Sequence, residues 1–249
     1  MFNKLPTLTR ENILVFYFGL PDFIREMGSF YGLLSRDEKE KAQRFFFEKD
    51  RSQYVLARGV LRTLLGHYVN ILPESVRFSY HAYGKPYLKN YPAIQFNIAH
   101  SEEMVIIALN YEDWIGVDIE YIERKIDVDN VAKRFFNEKE YSRLMSINEI
   151  EKRKLFFYQW TAKEAFVKAI GRGLAFDLAN VEISLNVKKG PRIATLQDAG
   201  ESPENWTLYS LDRIPQYTAV LAVKTQSKVL IRCPLIAHFK AFPGPHRGT

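Results

Sequence analysis

The chain has 249 residues, 47% hydrophobic and 14% aromatic, so it can bury a sizeable core as one large domain or two small ones. It contains no apolar run long enough to span a membrane, and its N-terminus does not resemble a secretory signal. Its single cysteine, Cys233, excludes an internal disulfide, and we therefore expect a reducing, cytoplasmic compartment. The net charge of +6 favours an anionic partner, but with no RNP motif, zinc-finger spacing or long Lys/Arg block we expect no nucleic acid.

The first half of the sequence is predicted to form one strand, two helices and three further strands. The stretch NILVFYFG (12–19) predicts a strand by its apolar and aromatic content. A helix is predicted over 35–47, because Ser35 and Glu38 have the spacing of a capping box. A second helix is predicted over 51–69, followed by strand-like VRFSY (76–80), IQFNIA (94–99) and MVIIALN (104–110).

The second half repeats this order. A strand is predicted over WIGVDIE (114–120), and a helical block runs from Asp127 to Ile170 with breaks near Asn137 and around Asn148. Strand-like segments follow at 181–185, 206–211, 217–223 and 228–232. The last ten residues, 240–249, contain two prolines and two glycines, and we expect them to be mobile and dispensable.

An echo between the halves supports a duplication. Segments KAQRFFFEKD (41–50) and VAKRFFNEKE (131–140) match at six of ten positions, and each is followed by a helix that ends in glycine. Chance similarity of amphipathic helices is the alternative, but the shared element order favours a duplicated unit. We therefore predict an α+β fold of two similar pseudo-symmetric halves, 1–111 and 112–249, each a small antiparallel sheet packed with helices, with a ligand cleft between them.

Three carboxylates stand out in the second half. In IGVDIE (115–120) the period-2 pattern places Asp118 and Glu120 on one side of a strand, about 7 Å apart, where they repel each other unless a positive group lies between them. In the helix 157–174, Glu164 and Lys168 lie one turn apart. Each pattern alone is equally typical of a solvated surface. Together the three acids offer hard oxygen ligands that suit Mg²⁺ with a phosphate ligand, whereas zinc would need a His/Cys cluster.

Basic candidates lie in the first half. A Gly-Lys-Pro turn displays Lys85 beside the rigid Pro86, and His100 ends the stretch FNIAHS (96–101), where a phosphate contact is plausible. Arg51 and Arg58 lie two turns apart on one helix face and can clamp a phosphate. The alternatives are an ordinary turn, a structural histidine and a solvated helix face.

Two of these segments form a recognisable pair. GVDIE (116–120) followed by WTAKEAFVK (160–168) resembles the signature of the 4′-phosphopantetheinyl transferases of the surfactin-synthetase-activating (Sfp) type. YGKP (83–86) and NIAHS (97–101) match two further motifs of that family, although Ala99 stands where serine is common. The resemblance covers roughly residues 10–225, and the order and spacing of the signature pair make it specific.

The resemblance implies a reaction and a site. A serine of an apo acyl or peptidyl carrier protein would attack coenzyme A, take its 4′-phosphopantetheine arm and release adenosine 3′,5′-bisphosphate. Asp118, Glu120 and Glu164 would hold Mg²⁺ against the pyrophosphate, with Glu164 and Lys168 as the catalytic pair. The immediate proton acceptor would be Glu164 or a metal-linked water.

The resemblance also assigns contacts to coenzyme A. Lys168 and His100 would bind phosphates, Lys85 and Pro86 would lie along the adenine–ribose end, and Arg51 and Arg58 would contact the 3′-phosphate. We expect a monomer, because the duplication already brings two halves together. Two rivals are a nucleotide-binding regulatory module without turnover and a basic interaction scaffold.

Overall fold

The computed structural model describes residues 5–186, 190–211, 213–225 and 230–232. Cys233 and the segment 240–249 lie outside these ranges, so the expectations for them stand as sequence-based predictions. The first half begins with a strand, continues through three helices and ends in four strands: β1 Asn12–Gly19, α1 Met27–Leu33, α2 Arg36–Gln43, α3 Glu48–Val69, β2 Phe78–Tyr80, β3 Pro86–Leu88, β4 Ile94–Ser101 and β5 Met104–Tyr111.

The second half has the same element order: β6 Ile115–Tyr121, α4 Val128–Phe135, α5 Glu138–Met145, α6 Glu149–Ile170, β7 Val181–Asn186, β8 Gly190–Leu196, β9 Thr207–Ser210 and β10 Tyr217–Val223. The main sheets have equivalent antiparallel orders, β1-β5-β4 and β6-β10-β9, and β2-β3 and β7-β8 are hairpins. A last strand, β11 Leu230–Arg232, pairs in parallel with β1. The predicted α+β fold of two similar halves is confirmed.

The helix boundaries follow the capping residues. Asn137 and Asn148, where breaks were predicted, are the N-caps of α5 and α6, and each side chain accepts a hydrogen bond from a backbone N–H of the first turn. The helix predicted over 35–47 is too long, since α2 ends at Gln43 and α3 already begins at Glu48. The short elements α1, β3 and β8 were not predicted. The two glycines of α1 explain why its helical signal is weak.

The echo between 41–50 and 131–140 is one helix out of register with the structural repeat. It crosses the α2–α3 connection in the first half but the α4–α5 connection in the second. The structure instead matches α2 with α5, which have 8 residues each and begin with a capping box, and α3 with α6, which have 22 residues each. The secondary-structure elements are therefore repeated, but the identical residues of 41–50 and 131–140 do not occupy equivalent positions in the two halves.

A buried glutamate in each capping box marks the true register. Glu38 accepts bonds from Nε of Arg58 and Nε of Arg62, both at 2.6 Å, so it ties α2 to α3. Although burial opposes ionisation, the two arginines hold the pKa of Glu38 below its ordinary value. Glu140 forms an ion pair with Nζ of Lys163 at 2.7 Å and so connects α5 to α6. Each long helix is therefore anchored by one buried ion-pair cluster.

The two halves meet where β4 runs beside β6. The free edge of β6 is bound by side chains of β4: the Val117 N–H donates to Oδ1 of Asn97 at 2.9 Å, and the Tyr121 N–H donates to Oγ of Ser101 at 3.0 Å. Apolar residues from both sheets form one buried cluster at this junction. In the described part of the chain, no helix is long and apolar enough to cross a bilayer.

Candidate active site

Strand β6 carries Asp118 and Glu120 with only 4% and 9% of their surface exposed. Oδ1 of Asp118 forms an ion pair with Nζ of Lys168 on α6, at 2.5 Å. The other oxygen, Oδ2, is buried without a hydrogen-bond partner. A buried carboxylate oxygen in that state is costly, so a ligand that binds it would relieve the cost.

Helix α6 brings Glu164 and Lys168 to the same place. The helix lies directly on β6 because Gly116 has no side chain: a Cβ there would lie 2.1 Å from the carbonyl oxygen of Ala165. This close backbone approach lets Lys168 reach Asp118. Glu164, one turn earlier and partly exposed, interacts electrostatically with both members of that pair.

The three carboxyl groups share one electrostatic environment. Burial raises the pKa of Asp118, and the Lys168 ammonium offsets only part of that rise. Burial, and then the Asp118 charge, raise the pKa of both Glu120 and Glu164. Burial alone would lower the pKa of Lys168, but the surrounding carboxylates raise it, so the ammonium stays protonated. The site is thus short of positive charge.

A hydroxyl and a guanidinium hold Glu120. Its Oε2 accepts hydrogen bonds from Oγ of Ser101 at 3.0 Å and from Nη1 of Arg124 at 3.2 Å. Since Ser101 also accepts the Tyr121 N–H, it fixes Glu120 relative to the β6 backbone. The positive groups that meet the two strand carboxylates in this structure are Lys168 and Arg124.

The donor chemistry of these carboxylates fits a divalent cation. In the described residues, no three His, Cys, Asp or Glu side chains are close enough together to form a ready metal cluster. Even so, the donors are hard oxygens, both glutamates are coupled to Asp118, and Oδ2 of Asp118 has no partner. These features suit Mg²⁺, which binds through a few carboxylates and completes its shell with water and phosphate.

His100, at the exposed end of β4, lies within electrostatic range of Lys168 and Asp118. Desolvation of the ring, and then the Lys168 charge, lower the pKa of His100, so its imidazole is neutral at pH 7 and can donate one N–H. Asp50 in the first turn of α3 also interacts with His100. The first turn of α3 therefore borders the site.

The remaining predicted residues are held by contacts of different strength, and their partners in these contacts are not the three carboxylates. Arg58 is bound to Glu38 and to the Tyr80 hydroxyl, and 11% of its side chain is exposed. Arg51 has 41% of its side chain exposed and makes a 3.4 Å ion pair with Glu48. Lys85 donates to two backbone carbonyls, and Pro86 begins β3.

The sequence prediction did not assign a role to Asn97 or Arg124, and it considered Ser101 only beside His100. Asn97 and Ser101 lie four apart in NIAHS, so in a strand they project to the same side. That spacing is the signal that could have identified them as the residues that hold the neighbouring strand. Nothing in the spacing of Arg124 distinguishes it from an exposed surface charge.

Both halves of the chain match known protein families. Residues 115–222 match the family described as the 4′-phosphopantetheinyl transferase superfamily, and residues 24–112 match the one described as 4′-phosphopantetheinyl transferase, N-terminal. The chain is 38% identical over 193 residues to the 4′-phosphopantetheinyl transferase HetI of Nostoc sp., covering 76% of this chain and 77% of HetI. It is 32% identical over 170 residues to the transferase Sfp of Bacillus subtilis, covering 68% and 75%.

The chain therefore belongs to the 4′-phosphopantetheinyl transferase superfamily and is an enzyme of the transferase class. Within that class, its similarity to HetI and Sfp over both halves confirms the predicted Sfp type. Among solved structures, a holo-[acyl-carrier-protein] synthase from Thermotoga maritima matches 45% of this chain and 63% of its own, with a TM-score of 0.38 and 23% identity.

Proposed function

We propose that this enzyme transfers the 4′-phosphopantetheine arm of coenzyme A to a serine hydroxyl of an apo acyl or peptidyl carrier protein and releases adenosine 3′,5′-bisphosphate. The observation that carries the proposal is the Asp118–Lys168 pair, which leaves one buried carboxylate oxygen without a partner beside Glu164. Family membership supports the reaction class.

Asp118, Glu120 and Glu164 are the residues that would hold Mg²⁺. Bound there, the ion would neutralise charge on the coenzyme A pyrophosphate and orient it for displacement. The donor chemistry supports this choice, since all three groups are carboxylates whose mutual repulsion a divalent cation would relieve.

The side chains of this protein account for the other requirements of the reaction. The serine oxygen forms a bond to the β-phosphorus, and the bond from that phosphorus to the bridging oxygen breaks. Glu164, whose pKa is raised by burial, would receive the hydroxyl proton directly or through water. The Lys168 ammonium offsets negative charge that develops on the leaving group, and His100 donates its N–H to a phosphate oxygen.

The two halves of the chain would then have different roles in the reaction. We assign coenzyme A contacts to residues 1–111, through His100, the first turn of α3 and Pro86, and the metal site and catalytic helix to residues 112–249. We also infer that a monomer is active, because the proposed site takes its residues from both halves of one chain.

The test is to incubate the protein with coenzyme A, Mg²⁺ and an apo carrier protein, and to weigh the intact carrier by mass spectrometry. A gain of one phosphopantetheine arm, abolished by EDTA and absent with a carrier whose serine is replaced by alanine, is the expected result. Binding of coenzyme A without any gain in carrier mass would instead identify a regulatory module and overturn the proposal.

A further inference from the structure

Lys85 joins the first half of the chain to both elements that carry the candidate site. Its Nζ donates to the carbonyl oxygen of Ile115 at 2.9 Å and to that of Ala169 at 2.7 Å. Ile115 begins β6, which carries Asp118 and Glu120. Ala169 lies in the last turn of α6, directly after Lys168.

The turn that presents Lys85 is itself fixed. The His81 N–H donates to the Lys85 carbonyl at 2.9 Å, and the Gly84 N–H donates to the His81 carbonyl at 2.9 Å. Gly84 has a φ of +86°, which glycine adopts without strain, and Pro86 begins β3 with a restricted φ. The lysine therefore extends from a rigid hairpin.

The lysine completes the end of the catalytic helix. The last four carbonyls of a helix have no partner within it, and α6 ends at Ile170, so the Ala169 oxygen needs an outside donor. A cation at this end also complements the helix dipole. Gly171, which ends α6 with a φ of +70°, packs against the stem: a Cβ there would lie 3.1 Å from Cδ of Lys85.

This placement differs from a solvent-facing ligand contact. The ammonium is directed at backbone oxygens, and burial lowers the pKa of Lys85 to about 8. Because no carboxylate among the described residues is bound to it, the fold retains a cation in a site where its charge is disfavoured. That cost is consistent with a structural requirement for a hydrogen-bond donor to these two backbone carbonyls.

We propose that Lys85 is a positioning residue of the transferase, which clamps the C-terminal turn of α6 to the start of β6 and so sets Glu164 and Lys168 against Asp118. The kinetic consequence rests on the proposed transfer reaction, whereas the effect on α6 does not. Lys85 acts on the reacting groups only through these two elements.

The test compares Lys85→Met with Lys89→Met, a control that removes one lysine charge from an exposed position four residues later. Hydrogen exchange is measured on the full chain. In Lys85→Met, the amides of 167–171 should exchange roughly tenfold faster or more, while those of α3 keep their rate, since one charge-assisted bond is lost locally. Unchanged exchange at 167–171 would overturn the proposal.

Steady-state kinetics supply the second readout. For Lys85→Met, kcat should fall about 10- to 100-fold because the reacting groups are misplaced, with the KM for coenzyme A within about threefold of wild type. Lys85→Arg, which keeps cationic donors, should recover part of the loss. A raised KM with unchanged kcat would instead make Lys85 a direct coenzyme A contact and contradict the clamp.

Two further outcomes remain decisive. If Lys85→Met does not fold, as judged by circular dichroism, Lys85→Gln keeps one amide donor and is measured in the same two assays against the same expectations. If the wild type transfers no phosphopantetheine, the proposed function fails, and hydrogen exchange alone still supports or overturns the clamp.

Discussion

Nζ of Lys168 on α6 lies 2.5 Å from Oδ1 of Asp118 on β6, and Oδ2 of the same carboxylate is buried without a hydrogen-bond partner. The pair thus satisfies one half of the carboxylate and leaves the other half open. Because burial raises the pKa of Asp118 even in the presence of Lys168, the arrangement is destabilising for the protein alone. Such an arrangement is typical of a group that is retained for function.

Asp118→Asn should lower transfer at least about 100-fold, because the variant keeps the side-chain shape but removes a charged ligand at the reacting centre. The melting temperature should shift by only a few degrees, since the lost ion pair is offset by relief of repulsion with Glu120 and Glu164. A thermal melt and a carrier-mass assay on the same preparation measure both effects.

The matched control for this variant is Asp129→Asn, which removes an acid that pairs with Lys152 at 3.0 Å, 55% exposed and outside the site. It should leave transfer unchanged. A large fall in the melting temperature of Asp118→Asn with activity retained would make Asp118 a structural residue.

Glu164→Gln should abolish transfer and stabilise the metal-free protein at neutral pH. Burial and Asp118 raise the folded-state pKa of Glu164 above 4.5, so the fold favours the protonated carboxyl and loses stability as pH rises through that raised pKa. Glutamine removes this loss. The melting temperature of the variant should therefore match that of wild type below pH 4.5, exceed it increasingly as pH rises from 4.5 to the raised pKa, and keep a constant excess at higher pH. A variant that is less stable at pH 8 than at pH 4.5, relative to wild type, would refute this assignment.

Ala99→Ser tests the junction between the halves. The N–H groups of Val117 and Tyr121 are bound by Asn97 and Ser101, and by strand alternation the Ile119 N–H, which also interacts with the Asp118 carboxyl, faces the same edge, opposite Ala99. A serine hydroxyl there should accept that N–H and stabilise the protein by about 0.5–1.5 kcal/mol in urea unfolding.

The control is Ala108→Ser. Ala108 is fully buried in β5, which is hydrogen-bonded on both edges, so a hydroxyl there should destabilise by about 1–3 kcal/mol. Equal destabilisation by the two serines would mean that the Ile119 N–H is not available at the junction.

Recognition of the 3′-phosphate should depend on Arg51 more than on Arg58. Wild type should prefer coenzyme A over dephospho-coenzyme A about 10- to 100-fold, mostly in KM, and Arg51→Ala should reduce that preference without changing kcat on the dephospho substrate. Arg36→Ala, which removes another exposed arginine in an ion pair, is the control. If wild type treats the two substrates alike, the 3′-phosphate faces solvent.

Arg58→Ala should behave as a folding variant. Its guanidinium is bound to the buried Glu38, which keeps Arg62 as a partner in the variant, so the cost should lie below the roughly 3–5 kcal/mol of leaving a buried charge unpaired. The loss should appear as a lower urea midpoint and as reduced activity on both substrates. A normal urea midpoint with a selective loss of the preference for coenzyme A would instead show that Arg58 contacts the 3′-phosphate.

The sequence carried most of the local information that builds this fold. The capping box at Ser35 predicted one helix start, the breaks predicted near Asn137 and Asn148 fall at two others, and period-2 alternation predicted β6 with its two acids on one side. The signals failed where elements are short or rich in glycine, as in α1. They also failed to show which helices of the two halves are equivalent. Helices α2 and α5 share a capping box, whereas the similar sequence segments 41–50 and 131–140 lie at positions that are not equivalent in the structure.

Contacts between distant segments were beyond the sequence. The pattern predicted that something positive must lie near Asp118, but only the fold shows that Lys168 reaches it. The same is true of Lys85, whose two acceptors lie 30 and 84 residues away. Spacing cannot report that a lysine on a turn is directed at backbone carbonyls of another half, nor that Arg58 is already held by Glu38.

The most direct test of the account measures carrier mass and released nucleotide in one reaction containing coenzyme A, Mg²⁺ and apo carrier protein. The account predicts that wild type adds one phosphopantetheine arm per carrier and releases an equal amount of adenosine 3′,5′-bisphosphate, and that Asp118→Asn and Glu164→Gln, although folded, do neither. An unmodified carrier with wild-type protein, or full modification by both variants, would contradict the claim that the Asp118, Glu164 and Lys168 centre performs the transfer.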